Sequence, residues 1–60
     1  MTTYKVEGYK WDEFEYYEEF ETDTYFEALG IAEQLEEEGF HQIDILEDDE
    51  VIFSMEDNYY

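Results

Sequence analysis

The chain has no cysteine, no proline and no arginine, and only two lysines, Lys5 and Lys10. Without cysteine there is no disulfide staple and no thiolate metal site. Twenty Asp and Glu stand against the two lysines, giving a formal net charge of −18. Nucleic-acid binding needs Lys and Arg to neutralise phosphates, so that class is excluded. An anionic membrane surface is excluded for the same reason. Apolar runs are short: the longest is residues 51–53, far less than a bilayer requires. The first residues, Met-Thr-Thr-Tyr-Lys, lack the charged-then-apolar profile of a secretion signal, so a cytoplasmic location is expected. One histidine and one serine leave little material for catalysis, and the missing arginine removes any bidentate clamp for phosphate or carboxylate substrates.

Sixty residues make one small domain, 1–60, with a thin core. High net charge with negative mean hydropathy is a signature of disorder. The aromatics oppose that reading. Thirteen of sixty residues are Tyr, Phe or Trp, and disordered acidic chains are poor in them. Each buries roughly 150–250 Å², which lets a short chain gather enough apolar area to fold against its own repulsion.

Local pattern predicts an α+β domain of order ββαββ: a four-stranded antiparallel sheet with one helix packed on one face. Residues 3–11 alternate as a strand, with Tyr4 and Val6 on one face, Tyr9 and Trp11 on the other, and Gly8 read as a bulge between them. Asp12 and Glu13 read as a turn. Residues 14–21 form a second strand whose Phe14, Tyr16 and Phe20 are expected to face the core, with Glu15, Tyr17, Glu19 and Glu21 outward. Thr24 with Glu27 fits a capping box, and a helix is expected over 25–38, closed by Gly39. Ala28, Leu29, Ile31, Ala32 and Leu35 give it an apolar stripe, and Gly30 is read as a point of close approach to the sheet. Residues 40–47 and 51–55 form a second hairpin about a turn at 47–50. Ile43 and Ile45 are expected to face one side, Leu46 the other, and Val51, Phe53 and Met55 a common side. Residues 56–60 read as a tail or an edge extension.

The placement of the acids breaks rules that stability alone would respect. Glu36, Glu37 and Glu38 crowd a helix C-terminus, where the dipole prefers cations. Glu33 and Glu37 repel at i,i+4, and four acids follow one another at 47–50. Such conflict is expected where function demands it. A 60-residue globule is roughly 27 Å across. That length of duplex carries about 16 phosphate charges, close to the 18 net charges here. The charge therefore points to a DNA mimic: a non-catalytic inhibitor that sits in the basic nucleic-acid site of another protein, drawn there by electrostatic steering. The expected contact carboxylates are Asp12 and Glu13 in the first turn, Glu15, Glu19 and Glu21 on strand two, Glu36, Glu37 and Glu38 at the helix end, and Asp48, Asp49 and Glu50 in the second turn.

Competing readings are blander. An acidic surface also serves solubility or salt adaptation, though neither calls for so many aromatics. His41 reads as a surface or half-buried histidine rather than a general base. Asp44 with residues 47–50 offers hard oxygen ligands, but the spacing lacks the twelve-residue calcium loop and its sixth-position glycine, so diffuse counterions are expected and no cofactor or metal site. Phe14, Tyr4 and Tyr16 read as core. Tyr17, Tyr59, Tyr60 and Trp11 lie among acids and read as partly exposed; for the aromatics as a group a core role is weighed ahead of one as interface anchors.

In size, in acids spread along the whole chain and in its hairpin–helix–hairpin order, the chain resembles the small acidic proteins with which bacteriophages disarm host defences. These are anti-CRISPR proteins, anti-restriction proteins and uracil-DNA glycosylase inhibitors. The resemblance implies a monomer acting in the host cytoplasm on a basic nucleic-acid-binding protein or complex, with an anti-CRISPR protein against a type I surveillance complex favoured. Another DNA-binding enzyme (a restriction enzyme or a uracil-DNA glycosylase) is the alternative, and an acidic module for basic host proteins is a further one.

Overall fold

Tyr, Val, Trp and Ile at alternating positions pair as strands because branched and aromatic side chains pack well on a pleated surface. In the computed structural model, which describes residues 2–11 and 14–56, the elements are β1 (Tyr4–Trp11), β2 (Glu15–Thr22), α1 (Tyr25–Glu37), β3 (Gln42–Glu47) and β4 (Glu50–Glu56). All neighbouring strands are antiparallel in one open sheet of order β2-β1-β3-β4. The α+β fold of order ββαββ is thus the one the pattern predicts. The turn expected at Asp12 and Glu13 lies outside the described residues, as do residues 57–60 of the tail or edge extension expected at 56–60; Glu56 is the last residue of β4.

Strands β2 and β3 both pair with β1, so the helix joining them must cross over it. That crossing decides what is buried. Val6, Ile43 and Ile45 of the two central strands meet Ala28, Ala32 and Leu35 of the helix, with Phe40 completing a core of seven buried residues. Tyr4, Leu29, Ile31, Phe53 and Met55 pack around its rim.

Thr24 caps the helix as expected. Its Oγ1 accepts from the Glu27 backbone N–H at 3.2 Å. The reciprocal arm differs from a full capping box, because the Thr24 hydroxyl donates to Glu27 Oε1 at 3.3 Å. At the other end Glu38 is the C-cap and Gly39 adopts φ +95°. Gly39 N–H donates to Glu36 O, and Phe40 N–H reaches back to Leu35 O, both at 3.1 Å. These are the paired bonds of a Schellman motif, and the side chains of Leu35 and Phe40 lie together in the core, as that motif favours. Phe40 therefore belongs to the helix end rather than to β3.

Four local expectations are corrected. Gly8 is no bulge, since β1 pairs in unbroken register on both sides. Tyr4 and Val6 oppose Tyr9 and Trp11 simply because even and odd positions alternate. The irregularity lies in β4, where Ile45 pairs Phe53 but Leu46 pairs Val51, leaving Ile52 extra. Val51 consequently sits opposite Leu46, on the other face from Phe53 and Met55. The aromatic face of β2 is not buried: Phe14 lies outside the strand and is 79% exposed, and Tyr16 is 52% exposed. The helix covers β1 and β3 and leaves this edge strand open. Glu18, on the helix side of that edge, is an inward-pointing charge of the kind that discourages edge-to-edge pairing.

Gly30 is the fourth. It does not approach the sheet; a Cβ there would have nothing within 4 Å. Exposed mid-helix glycine costs up to about 1 kcal/mol relative to alanine. Gly30→Ala is expected to stabilise the protein by about 0.5–1 kcal/mol, read as a raised urea midpoint at unchanged m-value. No gain would mean that the backbone at residue 30 carries a constraint other than helix propensity.

Candidate protein-binding face

The sheet has one face under the helix and one away from it. Register assigns the second face from the pairings alone. Glu19 of β2 is opposite Glu7 of β1, and Glu7 is in turn opposite Asp44 of β3, which is opposite Ser54 of β4. Three carboxylates thus form a row across three strands, at the strand spacing of about 4.8 Å. Like charges directly opposite one another destabilise a sheet. The molecule mitigates the repulsion with neutral donors. Tyr17 Oη lies 2.8 Å from Glu19 Oε2 and 3.2 Å from Glu7 Oε2, so one phenol proton serves both carboxylates. Ser54 Oγ donates to Asp44 Oδ1 at 2.6 Å. Lys5 Nζ stands 3.9 Å from Glu19 and 4.0 Å from Asp49, at the limit of an ion pair.

The same face carries Glu15 and Glu21 at the two ends of β2, opposite Trp11 and Lys5. Glu15, Glu19 and Glu21, expected from sequence to act together, therefore lie on one side. Glu7 and Asp44 join them and were not among the expected contact residues. Their signal was the alternation of polar and apolar positions in β1 and β3, but only the register between strands shows that they meet Glu19. Trp11 and Tyr17 are about half exposed on this face, the partial exposure expected of them. Tyr59 and Tyr60 lie outside the described residues, as do Asp12 and Glu13.

The remaining acids fall elsewhere. Tyr4 pairs with Glu47 at the end where Tyr25 opens the helix, its ring 5.8 Å from that of Tyr25. Asp48, Asp49 and Glu50 belong to this end. Glu38 lies near enough to Tyr16 to help push its phenol pKa up, so Glu36, Glu37 and Glu38 mark the opposite end, on the helix side. The two clusters do not converge. Asp48 and Asp49 also have a backbone reason to be there: both adopt positive φ, 49° and 70°, in a two-residue hairpin turn where aspartate is tolerated. His41 is half-buried. Its Nδ1 accepts from the Trp11 backbone N–H at 3.2 Å and its ring stacks on the Trp11 indole, which gives it a structural role at the end of β1. Among the described residues no cluster of three acids or histidines is arranged to hold a metal ion.

The molecule measures 39 × 16 × 15 Å. It is longer than the sphere assumed from chain length. A duplex 39 Å long carries about 23 phosphates, against 18 net charges on the whole chain, so charge per length approaches that of DNA without equalling it.

Four tyrosines respond to this field. Tyr17 is raised most, first by its bond to Glu19 and then by desolvation and Glu7. Tyr16 is raised chiefly by its bond to Glu18, and Tyr4 and Tyr9 chiefly by desolvation. Unfolded tyrosines lose their protons near pH 10. Above that pH the unfolded chain binds fewer protons than the folded one, so stability falls as pH rises; below it this contribution is fully present. Urea midpoints are expected to be level from pH 8 to 9 and to drop between pH 10 and 11.5, with a smaller drop in Tyr17→Phe. A midpoint unchanged at pH 11.5 would contradict the assignment.

Comparison with protein-family models, with curated proteins and with solved structures finds no match to this chain. Among the described residues no helix is long and apolar enough to cross a membrane.

Proposed function

We propose that this protein is a non-catalytic inhibitor that presents carboxylates in place of DNA phosphates and occupies the basic nucleic-acid-binding site of another protein. The observation that carries the reading is the row Glu19–Glu7–Asp44 across β2, β1 and β3. Placing three like charges in register opposes folding, and a neutral or mixed row would serve solubility equally well. Glu15 and Glu21 extend the row into a strip on the same face, where Lys5 is the only cation of the described residues. A strip of one sign complements a cleft lined by Lys and Arg, speeds encounter and releases the counterions of both surfaces. The resemblance to small acidic phage proteins favours a host-defence complex as the target, with a type I surveillance complex first and a restriction enzyme or uracil-DNA glycosylase next.

The test is competition. The target's duplex-binding activity should fall as this protein is added, and duplex should displace the protein from the target. Affinity should decline steeply between 50 and 300 mM salt, as it does for the nucleic acid replaced. The stability of the free protein should move the other way, rising over the same range as screening relieves repulsion. Simultaneous binding of duplex and inhibitor would exclude mimicry and favour an acidic module for basic proteins.

A further inference from the structure

Trp11↔Glu15, Lys10↔Tyr16 and Tyr9↔Tyr17 are successive rungs of the β1–β2 ladder. Alternation places the first and third rungs on the face away from the helix and the middle one on the other side. These six residues line an open cleft of about 500 Å³. That volume falls within the range of about 300–1,000 Å³ typical of ligand sites.

The walls are aromatic and held in place. Trp11 stacks on His41 at 4.8 Å and 18°, leaving its second face free of that contact. Tyr9 and Tyr17 lie 5.0 Å apart at 47°, and the Tyr17 hydroxyl is tied to Glu19 and Glu7. Among the described lining residues Glu15 is the one acid. Lys10 lines the cleft too, but its ammonium sits 4.9 Å over the Phe40 ring, which is not part of the walls. The cleft therefore combines fixed electron-rich rings with a carboxylate, and the cation that contributes to its lining is directed elsewhere. Aromatic faces attract cations, and more strongly when desolvated. A protein of charge −18 repels anions. A neutral ligand would gain no charge attraction from Glu15, which a cation would.

We infer that the cleft between the Tyr9–Tyr17 and Trp11–Glu15 rungs receives an arginine side chain of the partner protein. A guanidinium is planar, stacks on aromatic faces and pairs with a carboxylate through two N–H groups at once, whereas a lysine ammonium is a compact, strongly hydrated point charge. The inference rests on the sheet face being the contact for a basic protein. It adds an anchor at one end of the carboxylate strip, where a buried planar cation would supply a fixed orientation that distributed surface charge does not.

Trp11 is the only tryptophan in the chain, so its fluorescence reports the cleft. The probe is N-acetyl-arginine amide, compared at constant ionic strength with N-acetyl-lysine amide and with the citrulline analogue, which keeps the shape and loses the charge. Arginine amide should give a saturable change, with affinity about fivefold above lysine amide, and citrulline amide no saturation. Glu15→Gln should weaken arginine binding about three- to tenfold, while Glu50→Gln at the other end of the molecule should change it less than twofold. Trp11→Leu, followed by NMR of the probe, should abolish it. Equal affinity for arginine and lysine amides, or equal losses in the two glutamine variants, would reduce the binding to diffuse counterion attraction and overturn the inference. A variant that loses its circular dichroism is replaced by Tyr9→Leu, for which the same loss is expected. These outcomes are independent of duplex competition. A cleft that fails the arginine test leaves mimicry to its own experiment, and a protein that binds arginine here without being displaced by duplex keeps the cleft and loses the mimicry.

Discussion

Neutralising the row with Glu7→Gln, Glu19→Gln and Asp44→Asn should make the protein more stable and a weaker inhibitor. Two like-charge contacts disappear, Glu19 with Glu7 and Glu7 with Asp44. At about 0.2–1 kcal/mol for each cross-strand pair, stability should rise by about 0.5–2 kcal/mol. The hydrogen bonds from Tyr17 and Ser54 survive, because the amide oxygens of Gln and Asn still accept. Three carboxylates of the proposed contact face are lost at the same time. At about 0.5–1 kcal/mol each, affinity for a basic cleft should fall about tenfold to a hundredfold.

The opposite signs make the test sharp. A surface selected for solubility or salt tolerance would gain the stability and lose nothing in binding. The matched control is Glu33→Gln, Glu36→Gln and Glu37→Gln on the helix, which removes equal charge from the other side of the molecule and also relieves a repulsive i,i+4 pair. If the control weakens binding as much as the row does, total charge governs the interaction and the sheet face loses its special role. If neither triple changes binding, the mimicry reading is wrong. The measurements are urea midpoints and equilibrium affinities for the target at one fixed salt concentration.

How much of this was legible in the residues follows from the range over which each signal acts. Thr24, Glu27 and Gly39 fix the helix ends through contacts within a few residues, so the helix could be read directly. Alternation of Ile43, Asp44 and Ile45 set the faces of β3 for the same reason. What depended on long-range placement could not be read. Tyr16 and Phe20 carry the pattern of a core strand, yet they stay open because the β2–α1–β3 crossover lays the helix over β1 and β3. The extra residue in β4 leaves no mark in Val51-Ile52-Phe53, since all three are apolar. The carboxylate row is the clearest instance. Glu7, Glu19 and Asp44 lie far apart in sequence, each unremarkable beside twenty acids, and only the register joins them. Total charge and chain length suggest a uniformly acidic sphere; the molecule is instead elongated, and its sheet face carries the carboxylates as an ordered strip.

Gly8 and Phe40 should behave as one unit, with the largest effect on stability of any pair in the chain. A Cβ at residue 8 would lie 2.9 Å from Phe40 Cδ2 and 3.0 Å from Leu35 Cδ1. Phe40 is 3% exposed, bound to Leu35 through its own backbone N–H, edge-on to Tyr16 at 6.1 Å and capped by the Lys10 ammonium, so its ring has little room to give. Gly8→Ala is therefore expected to cost about 1–3 kcal/mol, although alanine suits a strand better than glycine. Phe40→Ala empties the space over Gly8 and should cost about 3–5 kcal/mol. A domain of this size holds only about 3–9 kcal/mol in all, so that variant should be largely unfolded in low salt. Phe40→Leu keeps enough of the core to be measured. In that background the added methyl of Gly8→Ala meets a smaller neighbour, and its cost should shrink by at least about half, a coupling that equilibrium unfolding of the four variants reads directly. Equal costs of Gly8→Ala in both backgrounds would show that the glycine is required by something other than the ring above it. Because only seven hydrophobic residues are buried among the described ones, the sheet holds its repelling carboxylates in register on the strength of this one small contact region. Weakening it should therefore abolish inhibition in low salt before the fold is lost in high salt, where screening lowers the repulsion the core has to overcome.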